Sequence, residues 1–290
     1  MTRIVHALSD ISADYDALFC DVWGCVHNGR EAFPEAVAAL QAFRAKGGTV
    51  VLVTNAPRAW TEVAKGLDDI GVPRDAWDAI ATSGDSARTA LFTGAVGNKV
   101  HFIGYESDRT IFEPPKILND PISVEVVPLA DAEGLVVAGP EDPYADPSVY
   151  KGEFLFAKTK GMKLLCMNPD VIVDVGTKRQ WCAGALAEMY TEMGGESLYF
   201  GKPHPPIYDL ARRRLAALER DVPEARILCV GDGIHTDVQG AVGEDLDVLF
   251  VAGGLAAEET LDGAHPHSDR LDAWLATKGY DPTYSIGFLR

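Results

Sequence analysis

Short apolar runs that end in polar residues constrain this 290-residue chain more than any other feature. Ala17–Val22 reads ALFCDV, Thr49–Thr54 reads TVVLVT, and Arg226–Val230 reads RILCV. Runs this short and this continuously apolar predict strands buried on both faces, as in a parallel sheet. Helical patterns separate them. Ala36, Leu40 and Phe43 share one face ahead of Gly47 and Gly48, which stop the helix. Trp60, Val63, Leu67 and Ile70 form the next apolar stripe, with Pro57 expected in its first turn. Asp78–Thr82 predicts a third strand. This alternation of strand and helix predicts an α/β fold, an open parallel sheet covered by helices.

The middle of the chain repeats the alternation. Lys99–Gly104, Val124–Val127, Leu135–Gly139 and Lys163–Met167 are strand candidates, with a helix expected over Tyr150–Lys160. Pro169–Thr177 adds a short apolar pair interrupted by Asp174 and Gly176. This stretch reads as a separate α/β unit from about Asp85 to Gly195. The pattern then resumes with Ser197–Phe200, a helix over Pro206–Leu218, the RILCV strand, and a short helix over Thr236–Val242. A strand at Leu246–Val251 and a last helix around Leu271–Leu275 complete it.

Composition narrows the class of partner. The chain carries 26 Lys+Arg against 43 Asp+Glu, a net charge of −17, which repels nucleic-acid backbones and acidic membranes. It does not repel a small phosphorylated ligand, because a metal ion and one lysine reverse the sign locally. The five cysteines form no CxxC, so neither a disulfide framework nor a structural zinc site is indicated. Cys20, Cys166 and Cys229 lie in apolar runs and are expected to be inert, whereas Cys25 borders a Gly-bearing turn and is left open. The opening MTRIVHALSDIS is not a signal peptide and no segment reaches spanning length. A soluble, cytoplasmic protein is therefore expected.

Open α/β sheets bind ligands at the carboxyl ends of their strands. Four polar clusters fall at predicted strand ends here: Asp21-Val22-Trp23-Gly24, Thr54-Asn55, Gly201-Lys202-Pro203, and Gly231 through Asp237 (GDGIHTD). Together they suit a phosphate. Asp21 is placed to attack phosphorus or hold a cation, and Asp232 to share that cation. Two carboxylates and a carbonyl satisfy hard Mg²⁺. Thr54 and Asn55 offer donors to phosphoryl oxygens, and Lys202 a positive charge. Each piece alone has a plainer use. An Asp after a strand commonly serves a turn, a lone lysine is usually solvated, and Thr236 with Gln239 would cap its helix. The order of all four clusters favours phosphoryl transfer.

Those motifs resemble the haloacid dehalogenase superfamily of phosphatases, and within it the large-cap class IIA subfamily of 4-nitrophenyl-phosphatase-like and NagD-like enzymes. The resemblance rests on FCDVWG (Phe19–Gly24), VTN (Val53–Asn55), GKP (Gly201–Pro203) and GDGIHTD (Gly231–Asp237), with Thr82-Ser83-Gly84 and Asn168-Pro169-Asp170 in support. It implies a Rossmann-like core over 1–84 and 196–290 with an inserted α/β cap over 85–195. Asp21 would be the nucleophile of an Mg²⁺-dependent phosphatase, becoming an aspartyl-phosphate. Thr54 and Asn55 would hold the phosphoryl group, and Lys202 would bridge it to the nucleophile. Asp21, Asp232 and the backbone carbonyl of Trp23 would bind the metal, with Asp237 at or just behind it. The substrate would be a small phosphorylated metabolite selected by cap residues such as Asn168–Asp170 or Glu141–Tyr144. Caps of this size form dimer contacts in similar proteins, which leaves a homodimer open.

One position departs from the pattern. These phosphatases usually place a second aspartate two residues after the nucleophile, to protonate the leaving oxygen. Here that position is Trp23, whose indole is no acid. Loss of such a group removes about 10²–10⁴ in rate. His27 and His235 are the candidate replacements by intrinsic pKa. The alternative is a slow or silent protein that keeps the pocket as a phosphometabolite binder.

Overall fold

The computed structural model describes residues 2–115, 118–175 and 178–290. Gly176 and Thr177, the end of the interrupted apolar pair, lie outside the described residues. The chain forms two compact units. One comprises Met1–Thr54, Ala64–Ala81 and Tyr208–Arg290; the other comprises Asn55–Val63 and Thr82–Ile207.

In chain order, β1 (Arg3–Ile4) and β2 (Ala17–Cys20) lead through helix α1 (Pro34–Ala45) to β3 (Thr49–Thr54), then through α2 (Trp60–Asp69) to β4 (Ala79–Thr82). Helix α3 (Ser83–Phe92) opens a second alternation of β5 (Lys99–Ile103), β6 (Glu125–Val126), β7 (Gly134–Val137), α4 (Lys151–Thr159) and β8 (Lys163–Cys166). The hairpin of β9 (Ile172–Val175) and β10 (Lys178–Trp181), helix α5 (Ala183–Glu192) and β11 (Glu196–Tyr199) follow. Helix α6 (Pro205–Ala216) returns the chain to β12 (Ile227–Gly231), α7 (Gln239–Gly243), β13 (Asp247–Val251) and α8 (Ala257–Thr260). The small pair β14 (Leu261–Asp262) and β15 (His265–Pro266), α9 (Ser268–Lys278) and β16 (Tyr284–Ile286) end it.

The first unit is built on a seven-stranded sheet ordered β1-β16-β13-β12-β2-β3-β4. Its central pairs β13–β12, β12–β2 and β2–β3 are parallel. Every residue of β2, β3 and β12 is buried, which is why these runs are apolar without alternation. Asp21 continues the pairing one residue past β2, its amide donating to the Val230 carbonyl at 2.7 Å. The chain therefore leaves the sheet with Asp21 at its carboxyl edge.

The second unit holds a five-stranded sheet ordered β11-β8-β7-β5-β6, parallel in every pair. Alternate residues face opposite layers. Leu135, Val137, Leu164 and Cys166 pack with Phe154 of α4 and Leu186 and Tyr190 of α5. Val136, Ala138, Leu165 and Met167 pack with Ala87, Leu91 and Phe92 of α3. The period of two along each strand puts a helical layer on both faces.

Two expectations are corrected, those for Pro57 and Thr236. Helix α3 runs across 84/85, and β11, just after 195/196, pairs with β8, Ser197 and Leu198 lying opposite Leu164 and Leu165. An apolar run carries no sign of which sheet it joins. Pro57 precedes α2 rather than entering it, because the Ala56 carbonyl accepts from the Gly84 amide at 3.1 Å and holds this stretch out of the helix. Thr236 does not cap a helix. It lies inside a π-helical turn, Ile234–Val238, that runs directly into α7. Helices α3 and α5 and strand β10 had no counterpart in the sequence reading.

Candidate functional site

In the first unit, the ends of the adjacent parallel strands β2 and β12 bring Asp21 and Asp232 together. One ligand atom each from Asp21, Cys25 and Asp232 lies within 4.8 Å of the others, and all three residues are buried. Asp232 is held from several sides. Its Oδ2 accepts from the Leu255 amide at 3.2 Å. A Cβ on Gly254 would stand 1.9 Å from that oxygen, and one on Gly24, whose φ is +79°, would stand 2.3 Å from it. Only glycine fits at either place. Burial, together with the neighbouring Asp232 and Asp21, pushes the Cys25 thiol well above its ordinary range and keeps it neutral. Two carboxylates in a glycine-walled cradle are hard oxygen donors, and they fit Mg²⁺ better than a thiophilic ion.

Asp237 lies outside that three-donor cluster. Its Oδ2 accepts from the Gly233 amide at 3.0 Å and from the Thr236 hydroxyl at 3.4 Å, so it fixes the loop that carries Asp232. Thr54 closes β3 with its side chain buried. Trp23 and His27 pack edge to face at 5.0 Å between ring centroids. The six-membered ring of Trp23 lies against Gly29. His27 Nδ1 accepts from the Gly29 amide at 2.9 Å, which places the ring proton on Nε2. Burial lowers His27 from 6.5 to about 4, so it is neutral in neutral solution and has no imidazolium proton to give. His235 is exposed, its ring edge on Tyr280 at 6.0 Å.

The second unit gathers the other two predicted residues. Asn55 Oδ1 accepts from the Lys202 amide at 2.7 Å, and Asn55 Nδ2 donates to the Lys202 carbonyl at 3.1 Å. Nδ2 also donates to Asp170 Oδ1 at 2.8 Å. Asn55 thus grips the main chain of Lys202 with both ends of its amide. Asn55 and Lys202 are 2% and 3% exposed, so the grip is shielded from water. Asp170, a substrate-selecting candidate in the sequence, is a partner of Asn55 here. Its own amide is held by Asn168 Oδ1 at 3.0 Å.

Sequence reasoning missed Gly254, Leu255 and the contact of Asp170 with Asn55. The signal for the first two was the Gly253-Gly254 pair directly after a strand, a place where backbone approaches something closely. The contact spans 115 residues and left no local signal. Cys25, left open by its turn, joins the buried cluster.

Residues 18–114 match the profile of haloacid dehalogenase-like hydrolases, and residues 199–273 match a second, HAD-hydrolase-like profile. The crystal structure of a haloacid dehalogenase-like hydrolase from Brucella suis is 37% identical, covers 99% of this chain and 100% of that one, and superposes with a TM-score of 0.85. A glycerol phosphate phosphatase from Mycobacterium tuberculosis in complex with magnesium shares the fold at 24% identity and a TM-score of 0.65, over 95% of this chain and 76% of that one. The 5'-nucleotidase YutF of Bacillus subtilis is 24% identical over 275 residues, 90% of this chain and 98% of its own. Paired carboxylates at adjacent strand ends, both profiles and the Brucella likeness converge, and the chain belongs to the haloacid dehalogenase-like hydrolase family.

Proposed function

We propose that this hydrolase is an Mg²⁺-dependent phosphatase of small organic phosphomonoesters, with Asp21 as nucleophile. The observation that carries this reading is the approach of Asp21 and Asp232 at the ends of β2 and β12. Attack by an Asp21 carboxylate oxygen on phosphorus forms the aspartyl-phosphate as the bond to the leaving oxygen breaks. Water then cleaves the acyl phosphate and regenerates Asp21. Asp21, Asp232 and the Trp23 carbonyl are the groups to hold Mg²⁺, which when bound offsets the negative charge of the phosphate. Thr54 donates its hydroxyl to a phosphoryl oxygen, and Lys202 supplies countercharge. Asp237 supports the Asp232 loop.

The leaving oxygen receives no help from position 23, and His27 at about 4 is too weakly basic to carry a proton there. Substrates whose oxygen departs without protonation are therefore favoured. Phosphate release is expected from aryl phosphates in the presence of Mg²⁺, with slower release from alkyl phosphates and none from Asp21→Asn. Equal turnover by Asp21→Asn would remove Asp21 as nucleophile. Faster turnover of alkyl than aryl esters would show that another group delivers the proton.

The packed Trp23 also favours a second reading, a binding protein that retains the pocket. Tight, Mg²⁺-dependent binding of phosphometabolites without phosphate release would select it.

A further inference from the structure

We propose that Asp170 is a positioning residue for Lys202, acting through the side chain of Asn55. The hydrogen-bond chemistry permits one orientation of the Asn55 amide. The Lys202 N–H only donates, so it requires Oδ1, at 2.7 Å. That turns Nδ2 toward the Lys202 carbonyl at 3.1 Å and the Asp170 carboxylate at 2.8 Å, both of which only accept. The Lys202 amide and carbonyl set which way the Asn55 amide faces, and Asp170 adds the shorter of the two bonds made by Nδ2, which holds it there. Asp170 is itself fixed at both ends of its backbone. Its amide donates to Asn168 Oδ1 at 3.0 Å, and its carbonyl accepts from the Gly184 amide, at the start of α5, at 3.0 Å. A carboxylate locked by β8's exit loop and by α5 thus orients an amide that fixes the backbone from which the Lys202 side chain departs. Charge-assisted acceptance by a carboxylate makes this the strong bond of the set.

The inference rests on the proposed role of Lys202 in binding phosphate, and the test separates the two. The parent protein, Asp170→Asn, Asp170→Ala, Lys202→Ala and the double variant Asp170→Ala/Lys202→Ala are compared. Two quantities are measured on each: the dissociation constant for inorganic phosphate with Mg²⁺, and kcat on an aryl phosphate. Asp170→Asn keeps an acceptor oxygen without its charge and is expected to lose about threefold. Asp170→Ala is expected to lose about tenfold, the size of one charge-assisted bond. On the Lys202→Ala background the same substitution is expected to change nothing, because no cation is left to misplace. A tenfold loss that persists on that background, or an Asp170→Asn as impaired as Asp170→Ala, would overturn the relay and leave the function standing. A Lys202→Ala protein that binds phosphate and turns over like the parent would overturn the role of Lys202, and the relay with it.

Discussion

At the scale of single residues, Trp23 and His27 together shape the turn after β2. With an indole at position 23, the turn after β2 fills with aromatic packing, and His27 is buried as an uncharged acceptor for the Gly29 amide. Burial lowers its pKa to about 4 from 6.5. The unfolded chain therefore binds a proton between those values that the folded chain refuses, and the native state loses stability as pH falls through that window. The loss reaches at most about 3 kcal/mol. His27→Asn keeps an acceptor for Gly29 without a titrating ring. Urea midpoints of the two proteins are expected to converge as pH drops from 6.5 to 4. A gap that stays constant with pH would mean that His27 is not held neutral.

At the scale of elements, the candidate site depends on how neighbouring strands finish. β2 and β12 deliver the two carboxylates, and the turn after β13 supplies Gly254 and the Leu255 amide that fix Asp232. A methyl group at 254 would collide with the Asp232 carboxylate. Gly254→Ala is expected to raise the Mg²⁺ dissociation constant about 10–100-fold by calorimetry, the usual effect of disturbing groups that orient a metal ligand. An unchanged constant would mean that Asp232 does not bind the metal in the observed pose. The strands were legible because two-sided burial demands continuous apolar runs. Helix α3 was not, because a helix capped by the Thr82 hydroxyl begins in SGDS, which reads as a loop.

At the scale of the whole molecule, the five cysteines are all buried as free thiols. A colorimetric thiol reagent is expected to find none in the folded protein and five after unfolding. Rapid reaction of a thiol before unfolding would show that a cysteine region opens in solution. Among the described residues no helix is long and apolar enough to cross a membrane. The net charge of −17 gives the surface no attraction for polyanions, while the cradle around Asp232 is a local arrangement that such a sum cannot describe. The sequence by itself determined the α/β class and the order of the strand-end clusters, and it put forward Asp21, Asp232 and Lys202 as candidates, because buried strands and the residues at their tips are consecutive in the chain. Only the tertiary structure decided that Glu196–Tyr199 joins the second sheet, that His27 is neutral, and that Asn55 grips Lys202 under the hold of Asp170. Pairing partners, burial and hydrogen bonds across more than a hundred residues are made by packing, and no local pattern encodes them.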